Sequence, residues 1–285
     1  MLCTLSLGKH LKLLFQYSNV IMDLRDILLK IKNNETDLDA AEDLIRGMGY
    51  VPVSDIAKID VCRSQRTGVM EAILAEGKEP EDVVKIAQAH VDACGRVLVT
   101  RLNEINVKLI EDAFRPEQLK WGKYKKTVVV HNGTPVPRTG GVVAIISAGT
   151  ADITVAEEAR IVASEMGCET IAIYDVGVAG FHRLVGEMLK LRSHKPDSIV
   201  VAAGREGTLP TVVSGLVDVP VIGVPVSTGY GAGAKGEAAL LSMLQSCSVL
   251  AVVNIDAGFV AGAFAARIAN NVARAREGKN EEAQP

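Results

Sequence analysis

The stretch Ser198 to Pro210, Ser-Ile-Val-Val-Ala-Ala-Gly-Arg-Glu-Gly-Thr-Leu-Pro, decides the fold. Its apolar run Ile199–Ala203, β-branched at the start, suits a strand buried on both faces of a parallel sheet. The run breaks at Gly204 and Gly207, which bracket Arg205 and Glu206, and Pro210 stands where a first helical turn accepts proline. Strand, glycine loop and helix in succession put Glu206 at the carboxyl end of a strand, where open α/β sheets bind their ligands. The plainer reading is a tight βα turn with a solvated charge pair.

Working outward, the same rhythm recurs from Gly141 onward. Strands are expected at 142–147, 170–175, 198–203, 220–224 and 249–255, and helices at 155–166, 181–191, 210–216, 236–246 and 258–277. Strands alternating with helices require right-handed crossovers and a parallel sheet with helices on both faces. The fold class is therefore α/β: a three-layer, doubly wound parallel sheet over residues 141–277. Ahead of it, residues 22–131 read as a smaller α/β domain. It has helices at 23–32, 37–48, 80–91 and 104–114 and strands at 68–75, 96–101 and 126–131. Residues 132–140, Asn-Gly-Thr-Pro-Val-Pro-Arg-Thr-Gly, form the linker, and 278–285 a polar tail. Arg63 and Arg66, in a charged turn before the strand at 68–75, suit a phosphate or carboxylate, or else plain solvent.

Composition narrows the function classes. The chain has 285 residues, 48% hydrophobic and 23% charged, which is ample for two cores. A net charge of −3 with no basic stripe argues against nucleic acid as a partner. Five scattered cysteines without a CxxC fit neither a disulfide scaffold nor a zinc site, and point to a reducing cytoplasm. Residues 1–21 are apolar but interrupted by Lys9, His10 and Lys12. They are too broken for a membrane span and lack the layout of a secretory signal. Met22, just before an amphipathic helix, is the expected true start, with 1–21 an upstream extension.

The loops after the strands of the second domain should share one sheet edge. The first, Ser147-Ala148-Gly149-Thr150-Ala151-Asp152, offers hydroxyls, a glycine and an acid at a helix N-terminus, where backbone amides favour an anion. Simple N-capping is the alternative. The second runs from Asp175 to His182 and Arg183, the third is Gly204–Gly207, and the fourth is the glycine-rich 225–235 with Gly229 and Tyr230. None is a dinucleotide fingerprint or a P-loop. Cys247 follows a helix C-terminus, where the dipole does nothing to activate a thiol.

These segments do, however, resemble one family closely. Gly-Thr-Ala-Asp (149–152), Tyr-Asp-Val-Gly-Val-Ala-Gly-Phe-His-Arg (174–183), Gly-Arg-Glu-Gly-Thr-Leu-Pro (204–210), Ser-Thr-Gly-Tyr-Gly (227–231) and Met-Leu-Gln-Ser-Cys (243–247) resemble the LarB family. Its members are the carboxylase/hydrolases of nickel-pincer cofactor biosynthesis. The likeness runs from Asp23 to about Val272, with Asp60–Lys78 similar to the family's N-terminal segment. The second domain is also similar to PurE-type aminoimidazole ribonucleotide carboxylases, whose histidine before the Leu-Pro pair is replaced here by Thr208.

The resemblance implies carboxylation of the pyridinium ring of nicotinic acid adenine dinucleotide through a cysteine adduct. Hydrolysis of the phosphoanhydride then releases AMP, with CO2 or bicarbonate as co-substrate and Mg2+ as the expected ion. It further implies Cys247 as nucleophile, Glu206 as acid/base and Asp152 as a third member of the catalytic set. Ser147, Gly149, Thr150, Asp175, His182, Arg183, Gly204, Gly207, Gly229 and Tyr230 would surround the substrate. A homo-octamer is implied too, with the small residues Gly262, Ala263, Ala265, Ala266 and Ala269 offered as a close-packing face. The chain departs from the family pattern at Ala151, Arg205, Gln245, Ala257 and Val260. Two alternatives stay open: a PurE-like carboxylase or mutase on another nucleotide, and a non-catalytic nucleotide-binding paralogue.

Overall fold

The computed structural model describes residues 24–47, 50–61, 63–229 and 231–282; the extension 1–21, Met22 and Tyr230 lie outside the described residues. The chain divides into two compact units. One runs up to Lys120 and includes Val128–Thr134; the other comprises Trp121–Thr127 and everything from Pro135.

The first unit opens with helices α1 (Leu24–Lys32) and α2 (Leu38–Gly47), then an antiparallel pair, β1 (Val51–Val53) and β2 (Ala57–Ile59). Helix α3 (Arg63–Thr67) leads to β3 (Ala72–Leu74), α4 (Pro80–Cys94), β4 (Arg96–Thr100), α5 (Glu104–Ala113), β5 (Leu119–Trp121) and β6 (Thr127–His131). Strands β3 and β4 are parallel, as a crossover through α4 requires, within a sheet ordered β3-β4-β6-β5. The strand expected at 68–75 shrinks to three residues because the basic turn before it folds into α3. There Arg66 Nη1 and Nη2 donate to the Asp60 carboxylate at 3.3 and 2.5 Å, so its fork is engaged within the fold rather than held open for a phosphate.

The second unit alternates β7 (Val142–Ser147), α6 (Ile153–Glu165), β8 (Glu169–Ile173), α7 (Phe181–His194), β9 (Ser198–Ala203), α8 (Leu209–Ser214), β10 (Val221–Pro225), α9 (Glu237–Leu244), β11 (Ala251–Val252) and α10 (Gly258–Glu282). The five-stranded sheet has the order β11-β10-β9-β7-β8, and every pairing in it is parallel. This is the expected doubly wound α/β fold. All of β9 is buried, as its unbroken apolar run demands. One core, around Ile145, Ala159 and Val200, packs the sheet against α6 and α10. The other, around Ile146, Leu184 and Val213, packs the opposite face against α7, α8 and α9.

Three expectations are corrected here. The last strand, expected at 249–255, forms ladder pairs only at Ala251 and Val252; beyond them the chain stays beside β10 through single bonds, Val253 N–H to the Gly223 carbonyl at 3.1 Å and Asp256 N–H to the Pro225 carbonyl at 2.9 Å. The small residues of α10 do not form a free face. Ala265, Ala266 and Ala269 lie in the core, and Gly262 sits so close to α6 that a Cβ there would stand 2.4 Å from the Ala159 carbonyl oxygen. Helix α10 also runs past the expected end at Glu277 to Glu282. Among the described residues, no helix is long and apolar enough to cross a membrane.

Candidate active site

Strand order reverses around β7, whose neighbours are β8 on one side and β9 on the other. The loops leaving their carboxyl ends diverge there and open a crevice, the usual ligand position in such sheets. A cleft of about 480 Å³ occupies that place, within the range of small-molecule sites. All four loops singled out in the sequence contribute to it: the lining includes Gly149, Thr150, Asp152, Asp175, Arg183, Gly204, Glu206 and Gly229.

Asp152 ties three of these loops together. Its Oδ2 accepts the Gly149 N–H at 2.8 Å; its Oδ1 accepts the Gly204 N–H at 3.1 Å and the Thr228 hydroxyl at 3.0 Å. The side chain is therefore more than the capping group that sequence could offer, since it reaches the loops after β9 and β10 as well. Asp152 is only 5% exposed, and burial pushes its carboxyl above the usual carboxylate range against the pull of those donors and the Arg205 charge. Gly204 is required at this junction. A Cβ would meet the Thr228 carbonyl at 2.6 Å and Asp152 Oδ1 at 3.0 Å.

Glu206 lies two residues beyond this junction and, unlike Asp152, is open to solvent at the cleft. Arg205 beside it has φ 49° and Asp175 has φ 60°, the left-handed backbone of the tight turns that these two loops make. Asp175 accepts from Arg183 Nη1 at 2.7 Å, which fixes a guanidinium at the rim. Two arginines, Arg183 and Arg205, thus line a cleft with three carboxylates, one of them buried and one paired.

Several sequence candidates stand elsewhere. Ser147 is fully buried, and its Oγ accepts the Asp175 N–H at 3.2 Å; it supports the second loop from behind. Gly207 is packed on Ala239 at φ 63°, shaping the turn without facing the cleft. His182 is exposed on the first turn of α7 and does not line the cleft. Cys247 is exposed in the segment between α9 and β11 and is likewise not a lining residue. Because β11 pairs Ala251 with Ile222 near the start of β10, Cys247 lies toward the amino ends of these strands, away from the loop edge. Conversely, Arg205, Thr208 and Thr228 line the cleft, although no sequence signal marks them as site residues. Thr228 was visible only as part of a glycine-rich loop, since nothing local announces its bond to Asp152.

The donor set does not fit a resident magnesium ion. Both Asp152 oxygens are taken by N–H and O–H donors, Asp175 is paired with Arg183, and no group of three metal-ligating side chains occurs among the described residues.

Comparison with known proteins agrees with this geometry. Residues 142–284 match the AIR carboxylase family model, and residues 51–132 match that of the LarB/PurE-like N-terminal domain. The uncharacterized protein MJ0165 of Methanocaldococcus jannaschii is 41% identical over 252 residues, covering 87% of this chain and 97% of its own length.

Proposed function

The chain belongs to the LarB/PurE-like AIR carboxylase family and is an enzyme of carboxylase type, and from that premise we propose that it carboxylates the pyridinium ring of nicotinic acid adenine dinucleotide and releases AMP. The observation that carries this reading is the pairing of an open carboxylate, Glu206, with two cleft guanidiniums and no histidine among the lining residues. Purine-type carboxylation places an imidazole before the Leu-Pro pair; here Thr208 lines the cleft at that position. A cationic ring flanked by a phosphoanhydride suits a site with both a carboxylate and guanidinium forks.

The chemistry balances without an external oxidant. A thiolate adds to the ring, forming a C–S bond and converting the pyridinium to a neutral, electron-rich dihydropyridine. A ring carbon then attacks CO2, forming the C–C bond. Glu206 takes the proton from that carbon, and the electron pair expels the thiolate and restores the aromatic ring. Water cleaves the phosphoanhydride, giving AMP and the dicarboxylated mononucleotide. Arg183 and Arg205 bind the phosphates. Asp152 positions the three loops that carry these groups.

The thiolate belongs to Cys247. Since Cys247 does not line its own chain's cleft, a second copy in a homo-oligomer would deliver it. An octamer, as the resemblance implies, satisfies this.

The experiment is incubation of the purified protein with nicotinic acid adenine dinucleotide, magnesium and 13C-bicarbonate, with mass spectrometry of the products. AMP together with a mononucleotide carrying one additional labelled carboxyl supports the reaction. Binding of the dinucleotide without label incorporation would overturn it.

A further inference from the structure

A second concavity, of about 570 Å³, lies in the same unit on the outer edge strand β8, and it shares no lining residue with the cleft. Thr170 and Ala172, alternate residues on one face of β8, and Tyr174 just past its end line it together with Trp121, Lys123 and Arg160. At its base is Glu157, only 3% exposed. Glu157 accepts from Arg160 Nε at 2.6 Å and Nη2 at 3.0 Å, from the Lys123 backbone N–H at 3.0 Å, and from the Tyr174 hydroxyl. Burial alone would raise its carboxyl, but these donors hold it down at about 2. The buried carboxylate thus stays charged and fixes both the guanidinium and the phenol.

Its geometry leaves useful groups over. Arg160 spends Nε and Nη2 on Glu157, while Nη1 has no partner among the described residues. Lys123 lies with Nζ 4.4 Å from the Tyr174 ring centroid and pairs with no carboxylate among the described residues. Two cations against one spent carboxylate leave the groove net positive, and Trp121 adds an aromatic ring, with Lys125 Nζ 5.4 Å from its centroid on one side.

We propose that this groove binds a small anion carried on a planar ring, with the anion held between Arg160 Nη1 and Lys123 Nζ and the ring against Trp121. Guanidinium and ammonium groups serve phosphate and carboxylate alike, so the shared chemistry is an oxyanion on an aromatic ring. A base or pyridine stacked on an indole completes the contact.

Trp121 is the single tryptophan of the chain, so its emission reports on the groove. The full-length protein is titrated separately with AMP, nicotinate, adenosine and inorganic phosphate. Saturable quenching by AMP or by nicotinate, and by neither adenosine nor phosphate at equal concentration, is the expected result; which of the two acts separates phosphate from carboxylate. Lys123→Glu retains the backbone bond to Glu157 and should weaken that quenching by about tenfold or more. Glu206→Gln, in the other cleft, should leave it unchanged. An unchanged emission with all four probes at millimolar concentration overturns the proposal. So does equal quenching by adenosine, equal quenching by phosphate alone, or retained affinity in Lys123→Glu.

Discussion

Glu206 and Asp152 are carboxylates of one cleft that the fold treats in opposite ways, one open and unencumbered, the other buried under three donors. In the proposed mechanism Glu206→Gln keeps size and polarity but removes the base, so turnover should fall by about 10²- to 10⁴-fold while the dinucleotide still binds. Calorimetric binding beside product formation separates the two effects. Glu157 offers a sharper stability test. Its pKa falls from 4.5 to about 2 on folding, so its contribution is complete above pH 4.5 and is lost as pH falls toward 2. The shift corresponds to about 3 kcal/mol. Thermal melts between pH 5 and pH 2 should show a steeper loss of Tm in the wild type than in Glu157→Gln. Equal slopes would sink the assignment. Glu206 was legible as a residue because glycines and a strand end bracket it. Glu157 was not: its partners Lys123, Arg160 and Tyr174 meet it only after β8 and α6 have packed.

At the scale of elements, the crossing of α6 and α10 depends on two hydrogen-sized gaps, Gly258 against Val155 and Gly262 against Ala159. A Cβ at Gly262 would lie 2.4 Å from the Ala159 carbonyl oxygen and 2.8 Å from its Cα, and backbone atoms cannot step aside as a side-chain tip can. Gly262→Ala must therefore push the helices apart and should cost about 1–3 kcal/mol by overpacking. Gly278→Ala on the same helix is the control. No atom within 4 Å would meet its Cβ, and helix propensity alone should stabilise by about 0.5–1 kcal/mol. Urea denaturation of both variants checks the sign of each. The buried strands of the second unit could be read in advance because both faces are covered, which leaves unbroken apolar runs such as Ile199–Ala203. Strands β1, β2 and β5 could not, being three residues each with mixed burial, too short for a period to emerge. The alanine and glycine content of α10 was visible, but not its recipient, since small residues serve a neighbour in the same chain as well as one in another.

For the whole molecule, the proposed mechanism turns on where its thiol comes from. Cys247 lies near the amino end of β10 while the cleft opens from the carboxyl ends, so one chain does not bring Cys247 and Glu206 to a single lining. The helix before Cys247 and the residues flanking it expose apolar side chains: Leu241 and Leu244 are exposed, Val249 is 94% exposed, and Leu216 after α8 is exposed as well. On α7, which begins beside the cleft, Phe181, Val185 and Leu189 form a second exposed stripe. Apolar groupings of this kind mark contact surfaces, and closed assemblies of like chains cover them. If a neighbouring copy supplies the cysteine, two inactive proteins should repair each other. Cys247→Ala subunits keep an intact Glu206, and Glu206→Gln subunits keep an intact Cys247. Unfolded together in equal amounts and refolded, they should regain up to about one quarter of wild-type activity, the share of sites that draws both intact groups by chance. Each variant refolded alone should stay inactive. A mixture that remains inactive, although light scattering shows co-assembly, would mean that both groups act from one chain and that the loop bearing Cys247 must move to reach the ring.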